Sequence, residues 1–134
     1  MDARADLALT RSLTALPGWE WRPRVGVRQG ERRSTVVEVY AGEWLDTAYV
    51  ELRVAWGDYA SMLAHPEYIA LDFECATTGG HLLALLDGPV NAERLPVAGS
   101  HLWRVSDEQH TCEDTSLARA CAGLARARGH WKKA

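Results

Sequence analysis

Two carboxylates within an otherwise apolar segment form the pattern in this sequence most suited to chemistry. Residues 68–80 read YIALDFECATTGG, and apolar and polar side chains alternate along residues 68–76. Side chains of a strand point alternately to its two faces, so this alternation predicts a strand with Asp72 and Glu74 on one face. Two carboxylates about 7 Å apart along a strand can help to hold divalent ions that polarise a phosphate group. The segment is therefore a first candidate for metal-dependent catalysis.

The sequence YIALDFE followed by TTG resembles the first metal-binding motif of the DEDD-type exonuclease family, in which a hydrophobic strand carries Asp-x-Glu ahead of Thr-Gly. The resemblance implies that Asp72 and Glu74 would bind the metal ions of a nuclease. It is confined to this segment, and Cys75 and Ala76 interrupt the pattern before Thr77. The further carboxylates and the late His or Tyr of that family do not follow at the expected spacing. We therefore interpret the two carboxylates as part of a solvated sheet face, and we predict neither a metal nor a cofactor.

A second set of residues has the side-chain types of a zinc site, namely His110, Cys112, Cys121 and His130. A helix is predicted across most of this interval, and nine residues of helix rise about 13.5 Å. Cys121 is then too far from either neighbour in the set to share an ion with it, and too far from Cys112 for a disulfide. We therefore predict reduced thiols, which are typical of the cytoplasm.

Aromatic and basic residues interleave near the N-terminus, where Trp19, Trp21, Arg22 and Arg24 fall close together. Aromatic faces can stack on bases while guanidinium groups bind phosphates, so single-stranded nucleic acid is one interpretation of residues 19–33. The alternative is that the tryptophans pack on the core beside ordinary solvated arginines. The formal net charge of −3 favours the alternative, because nucleic-acid-binding domains are usually basic.

The charges are unevenly distributed along the chain. Residues 67–114 contain nine acidic and two basic side chains, whereas residues 115–134 contain five basic and no acidic ones. This segregation predicts that the basic end docks on the acidic middle, within one chain or head to tail in a dimer.

Tryptophan is abundant, with six residues in the chain, and Trp and Arg are the residue types that most often anchor protein interfaces. Trp44 and Trp131 lie in polar surroundings, and Arg119 and Arg126 line the predicted outer face of the last helix. These four residues are the predicted partner-binding set. The alternative for each tryptophan is packing in the core or at a sheet edge.

Helical spacing of apolar residues predicts a first helix over 5–16, which Pro17 and Gly18 end, and a last helix from a cap at Asp114 or Thr115 to Arg128. Between them, β-branched and alternating segments predict strands over 25–29, 35–40, 47–56, 68–76 and 81–86, with a short helical turn over 58–64 and a short strand over 102–105. The apolar run 81–86 is the expected centre of the sheet, and 87–100 is the expected ordered loop.

These elements predict an α+β fold with a mostly antiparallel sheet of five or six strands, flanked by N- and C-terminal helices. The length and the 47% apolar composition fit a single domain over 1–134, with flexible ends at 1–4 and 130–134. No apolar run approaches the roughly 20 residues of a membrane span, and no signal peptide is evident, so we expect a cytoplasmic protein. The preference for arginine over lysine is typical of a GC-rich bacterial genome.

Two functional hypotheses follow from this pattern. The first is a non-catalytic protein-binding module, with an order of elements similar to that of small chaperone and toxin-immunity folds, which are often dimeric. The second is a small ligand-binding domain or enzyme with a pocket between sheet and helices. Asp72, Glu74, His81 and His101 would be its polar groups, and the loop 87–100 would gate the pocket.

Overall fold

The computed structural model describes residues 3–45, 47–55, 62–64 and 66–133, and the chain divides into two compact units. The first unit consists of Met1–Arg11 and Trp21–Asp72. The second unit consists of Ser12–Glu20 and Phe73–Ala134. The single domain expected from the sequence stays a prediction.

Helices and strands alternate irregularly along the chain, as in an α+β protein. None of the helices in the described ranges has the length and apolarity needed to cross a membrane. In chain order the elements are α1 Ala3–Thr14, β1 Gly26–Gln29, β2 Arg32–Trp44, β3 Thr47–Ala55, β4 Met62–Ala64, β5 Ala70–Leu71, α2 Ala76–Leu85, β6 Asn91–Val97, β7 Ser100–Ser106, β8 Thr111–Asp114 and α3 Leu117–Arg128.

The first unit contains an antiparallel sheet in the strand order β4-β3-β2-β1-β5. The buried apolar side chains of this sheet include Val27, Val36, Leu52 and Val54. The hairpin of β2 and β3 extends beyond the neighbouring strands. Strand β1 pairs only with the start of β2, and β4 pairs only with the end of β3. Residues 40–44 and 47–51 therefore pair only with each other within the described ranges, and we refer to them as the ribbon.

The second unit contains the antiparallel sheet β6-β7-β8, with α3 against the sheet and α2 against α3. Small residues bring these elements close together. A Cβ on Gly123 of α3 would lie 3.1 Å from Cys112 Sγ of β8, and one on Gly79 of α2 would lie 3.1 Å from Leu117 Cβ. Close backbone approach at these glycines lets the buried face of α3 fill the core.

The two terminal helices agree with the sequence prediction. Helix α1 occupies Ala3–Thr14, within two residues of the predicted bounds. Helix α3 ends as predicted, with Gly129 in the left-handed conformation at φ 83°. Its start differs slightly, because Ser116 is the cap and accepts a hydrogen bond from the Arg119 N–H at 3.3 Å. Asp114, one of the predicted caps, instead accepts the Ser116 N–H at 3.0 Å.

The middle of the chain corrects the sequence prediction in two segments. The predicted strand 68–76 contains only the two-residue strand β5, and the predicted strand 81–86 lies mostly in helix α2. The buried residues of α2 include Thr78, Leu82 and Leu85, spaced by four and three, which is a helical period. The run also lacks the β-branched residues that favour strands. The apolar run suggested a buried strand, but it consists mainly of leucine and alanine, which favour helices, and most of it is helical.

Two further differences concern strands. The expected loop 87–100 contains β6, whose Pro96 is compatible with a strand because β6 is a sheet edge. Strand β2 runs on to Trp44, well past the predicted bound at residue 40. Within the described residues the strands form two sheets, of five and three strands, so the prediction of one sheet of five or six strands is wrong. The predicted turn 58–64 lies partly outside the described residues, and 62–64 is strand β4.

A candidate ligand-binding cleft

Three chain segments of the second unit converge on a polar cleft of about 300 Å³. The first follows α2, the second is the turn between β7 and β8, and the third is the end of α3 with the tail behind it. The residues that line the cleft are Asp87, Gly88, Pro89, Asp107, Glu108, Gln109, His110, Arg128, His130 and Lys133.

The turn between β7 and β8 is organised by the carboxylate of Asp107. Its Oδ1 accepts hydrogen bonds from the backbone N–H groups of Gln109 at 2.8 Å and His110 at 2.7 Å. An aspartate that binds the backbone two and three residues ahead stabilises a tight turn. The Gln109 N–H lowers the pKa of Asp107 most strongly, and the His110 N–H and nearby positive charge add to this against the opposing effect of burial. The carboxylate is therefore held in its ionised form.

Arg128 bridges the cleft from the last position of α3. One of its terminal nitrogens, Nη2, donates to the carboxylate and to the carbonyl of Asp87, the latter at 3.2 Å. Its Nε lies 3.6 Å from Asp107 Oδ2. The side chain is only 7% exposed, so these two carboxylates supply the charge that a buried guanidinium needs. A cation at the C-terminal end of a helix also interacts favourably with the helix dipole.

Asp87 is held on both sides by the C-terminal tail. Its backbone N–H donates to the carbonyl of Trp131 at 3.0 Å, and its Oδ2 accepts the Lys133 N–H at 3.2 Å. That N–H of Lys133 is the largest cause of a lowered pKa for Asp87, and Arg128 adds to it against the effect of burial. The tail is therefore part of the site.

Trp131 anchors the C-terminal tail, residues 129–133, within the second unit. Its side chain is 0% exposed, and its indole Nε1 donates to the carbonyl of Leu13 at 2.9 Å. The backbone N–H of Trp131 donates to the Pro17 carbonyl at 2.8 Å. Gly18 has a φ of 89°, and a Cβ at this position would lie 2.3 Å from Lys132 N. The turn at Pro17 and Gly18 thus both ends the N-terminal helix and receives the tail.

Two histidines lie on the two sides of Arg128. His110 Nδ1 is 3.6 Å from Asp107 Oδ1, and His130 Nε2 is 3.7 Å from Asp87 Oδ1. His130 Nε2 is also 3.0 Å from Arg128 Nη2. A guanidinium only donates hydrogen bonds, so in this contact His130 Nε2 is the acceptor and carries no proton.

Some hydrogen-bonding capacity in the cleft remains unused. Arg128 Nη1 and His110 Nδ1 are buried, and neither has a hydrogen-bond partner within the described part of the chain. Buried polar atoms are normally satisfied, and an exception calls for an explanation such as a water or a ligand.

Metal chemistry receives no support from the described residues. Among them, no group of three or more His, Cys, Asp or Glu side chains stands in a position to hold an ion. All three cysteines are free thiols. Burial raises the pKa of the Cys121 thiol to about 12, so this residue is a neutral core side chain at physiological pH.

The four predicted catalytic candidates lie elsewhere than the cleft. Asp72 follows β5, is buried and forms an ion pair with Arg33 at 3.8 Å. Glu74 lies in the turn before α2, so the prediction that the two carboxylates share one strand face is wrong. His81 is on α2, where its Nε2 lies 2.9 Å from the Glu20 carbonyl. The fourth, His101, is exposed on β7.

The predicted partner-binding residues have different environments. Trp131 is a core residue, so its indole is not available as an interface anchor. Arg119 forms an ion pair with Glu74 at 3.2 Å and stacks over the Phe73 ring at 5.0 Å. Arg126 is exposed. Trp44 ends β2, and its side chain lies outside the described part of the structure.

The aromatic and basic segment 19–33 is divided between the two units. The Trp19 ring packs within the second unit, 5.6 Å from the ring of His81 and 5.6 Å from that of Trp131. Trp21 is half-buried in the first unit, and its neighbours Arg22 and Arg24 are exposed. The packing of Trp19 is the core alternative that the sequence left open.

The predicted docking of the basic C-terminal region on the acidic middle occurs within the second unit. Arg119 pairs with Glu74, and Arg128 pairs with both Asp87 and Asp107. Opposite charges separated along the chain therefore meet within one chain.

The sequence analysis did not select Asp87, Asp107, Arg128 or Lys133 as site residues. The available signal was Asp107 at the start of a polar turn that joins two strands.

No known protein family, no curated protein and no solved structure matches this chain.

Proposed function

We propose that this protein is a small non-catalytic ligand-binding domain, and that the cleft of the second unit is its binding site. The observation that carries the proposal is the convergence of Asp87, Asp107, His110 and Arg128 on one cleft from three separate chain segments. A volume of about 300 Å³ is at the lower end of the range for small-molecule pockets.

Binding is favoured over catalysis by the chemistry of the lining. The lining residues include no Ser, Thr, Cys or Tyr that would act as a nucleophile. A general acid or base works best with a pKa near the operating pH, whereas hydrogen bonds lower the pKa of both Asp87 and Asp107. These carboxylates position Arg128 and the turn, which is a binding role.

A thermal-shift screen with a broad metabolite set tests the proposal. A ligand present at about 100 times its Kd stabilises the folded state by about 2.7 kcal/mol. We expect the Tm gain to be lost in His110→Gln, which alters the cleft lining. His101→Gln is the matched control, because it removes the same side chain from an exposed position on β7. A screen in which nothing raises the Tm would contradict the proposal.

A second candidate function, protein binding or self-association, is favoured by the ribbon. Its two outer edges have no strand partner within the described ranges, and open strand edges can add a further strand. Leu45, which follows β2 at the ribbon turn, is 83% exposed and has a φ of 49°. An apolar residue in this unfavourable conformation is a candidate contact.

Leu45→Asn tests this second candidate, because asparagine tolerates the left-handed conformation while removing the apolar side chain. We expect the wild type to form a dimer in light scattering and the variant to be monomeric. A monomeric wild type would remove self-association. The cytoplasmic location stays part of the proposal, and nucleic-acid binding does not.

A further inference from the structure

We infer that the ligand of the cleft carries an oxyanion, a carboxylate or phosphate group, and that Arg128 Nη1 and His110 Nδ1 bind it. The inference rests on the proposed function and specifies the chemical class of the ligand.

Three of the four carboxylate oxygens of Asp87 and Asp107 already accept hydrogen bonds. Asp107 Oδ1 accepts two backbone N–H groups, from Gln109 and His110. Asp87 accepts the Lys133 N–H at Oδ2 and Arg128 at Oδ1. A ligand that offered only donors would have to displace these bonds, and charge-assisted bonds to carboxylates are among the strongest in proteins.

The donors of the cleft are in surplus. Arg128 Nη1 carries two N–H groups, and it is buried without a hydrogen-bond partner in the described structure. The same holds for His110 Nδ1, which is a donor when the ring is protonated or in the matching tautomer. A ligand that brings oxygen acceptors would satisfy both groups, and the cost of leaving them buried and unpaired would be removed.

The two unpaired nitrogens belong to Arg128 and His110, and both of these side chains lie next to the carboxylate of Asp107. His110 Nδ1 lies 3.6 Å from Asp107 Oδ1, and Arg128 Nε lies 3.6 Å from Asp107 Oδ2. These distances are too long for hydrogen bonds, so an oxyanion can supply hydrogen bonds that Asp107 does not. The planar donor set of a guanidinium also matches the paired oxygens of a carboxylate or phosphate.

By formal charge the lining is not positive, because the three carboxylates of Asp87, Asp107 and Glu108 oppose the two cations of Arg128 and Lys133. An oxyanion would therefore be held by directed hydrogen bonds rather than by the overall charge of the cleft.

The test is a titration of the full chain with acetate and, separately, with inorganic phosphate, against chloride at matched ionic strength. Backbone amide signals of Gln109, His110 and Lys133 report on the cleft by NMR. We expect saturable shifts whose affinity falls about tenfold or more in Arg128→Gln, the loss typical of a hydrogen bond to a charged group. Arg126→Gln is the matched control, because it removes an exposed charge from the same helix. If Arg128→Gln does not fold, the Arg128 side-chain signals of the wild type must move with the same affinity.

The outcomes separate the inference from the proposed function. Saturation by acetate alone assigns a carboxylate, and saturation by phosphate alone assigns a phosphate group. Equal losses in the Arg126 and Arg128 variants would show non-specific attraction and overturn the inference. It would also be overturned if a neutral or cationic metabolite filled the cleft while neither anion bound, although the cleft would remain a ligand site. If no compound of any class moved the cleft signals, the proposed function itself would fail.

Discussion

Two buried arginines, one in each unit, differ in how their charge and their hydrogen-bond donors are satisfied. Arg28 on β1 of the first unit and Arg128 at the end of α3 in the second have side chains that are 9% and 7% exposed. Arg28 lies 3.6 Å from Asp6 and donates from Nε to the Gly30 carbonyl at 3.0 Å. Arg128 joins two carboxylates and still has Nη1 without a partner in the described structure.

The two arginines also differ in the polarity of the cleft beside them and in the burial of their partners. Arg28 borders a cleft of about 220 Å³ whose walls are largely apolar, with Leu7, Tyr68 and Ala70 among them. Its partner Asp6 is itself nearly fully buried. Arg128 borders the polar cleft, and its partners Asp87 and Asp107 remain partly exposed. Arg28 is thus paired with another buried charge, whereas Arg128 has a donor with no partner among the described residues and lies beside a polar cleft.

Trp131→Ala should have the largest effect, because the tail that completes the Arg128 site depends on this side chain. Loss of a fully buried tryptophan typically costs about 3–5 kcal/mol. Chemical denaturation should show this loss, and ligand-induced shifts of the cleft should vanish with it. Trp131→Phe is the control, since it retains most of the apolar contact and removes the bond to Leu13. A Trp131→Ala protein as stable as the wild type would show that the tail does not hold the site.

Arg28→Met and Arg128→Met test the comparison directly. Removing one partner of a buried ion pair typically costs about 3–5 kcal/mol, and we expect a loss in this range for Arg28→Met because the buried carboxylate of Asp6 loses this cation. Arg128→Met should cost less, about 1–3 kcal/mol, because Asp87 and Asp107 keep their backbone hydrogen bonds and reach solvent. Urea unfolding curves give both values. Equal losses, or a larger one for Arg128→Met, would break the distinction between the two arginines.

Acid should destabilise the second unit through its cleft. The pKa values of Asp87 and Asp107 are lowered in the folded state, so each group stabilises the fold above its unfolded pKa of about 3.9. That contribution is lost as the pH falls through the folded pKa. The free energy of unfolding should therefore fall steeply below about pH 4, and less steeply in Asp107→Asn. An unchanged slope in Asp107→Asn would contradict the assigned role of this carboxylate.

Glu74→Gln should have the smallest effect. The ion pair of Glu74 with Arg119 is partly exposed on both sides, at 37% and 24%, and pairs of this kind contribute about 0–1 kcal/mol. The difference in unfolding free energy should lie within this range and shrink in high salt. A loss as large as that of Arg28→Met would mean that solvent exposure does not determine how much an ion pair contributes to the stability of this protein.

Local signals explain which parts of the fold were predictable. Pro17 and Gly18 mark the end of α1 and Gly129 marks the end of α3, because the backbone preferences of proline and glycine act within a few residues. The predicted strand over 81–86 is wrong because an apolar run fits a buried strand or a buried helix equally well. The helical spacing of Thr78, Leu82 and Leu85 was present in the sequence, but packing on α3 is what makes it decisive.

By itself, the sequence determined the α+β class, the two terminal helices and the attraction between an acidic middle and a basic end. Helix caps, periodicity and charge depend on residues that are close together in the chain. Only the tertiary structure decided that the chain builds two sheets and that Asp87, Asp107 and Arg128 meet in one cleft. These three residues are separated by 20 residues or more in the chain. No local preference encodes their meeting. It follows from the burial of Trp131 and the packing of α3, which bring the ends of distant elements to the same place.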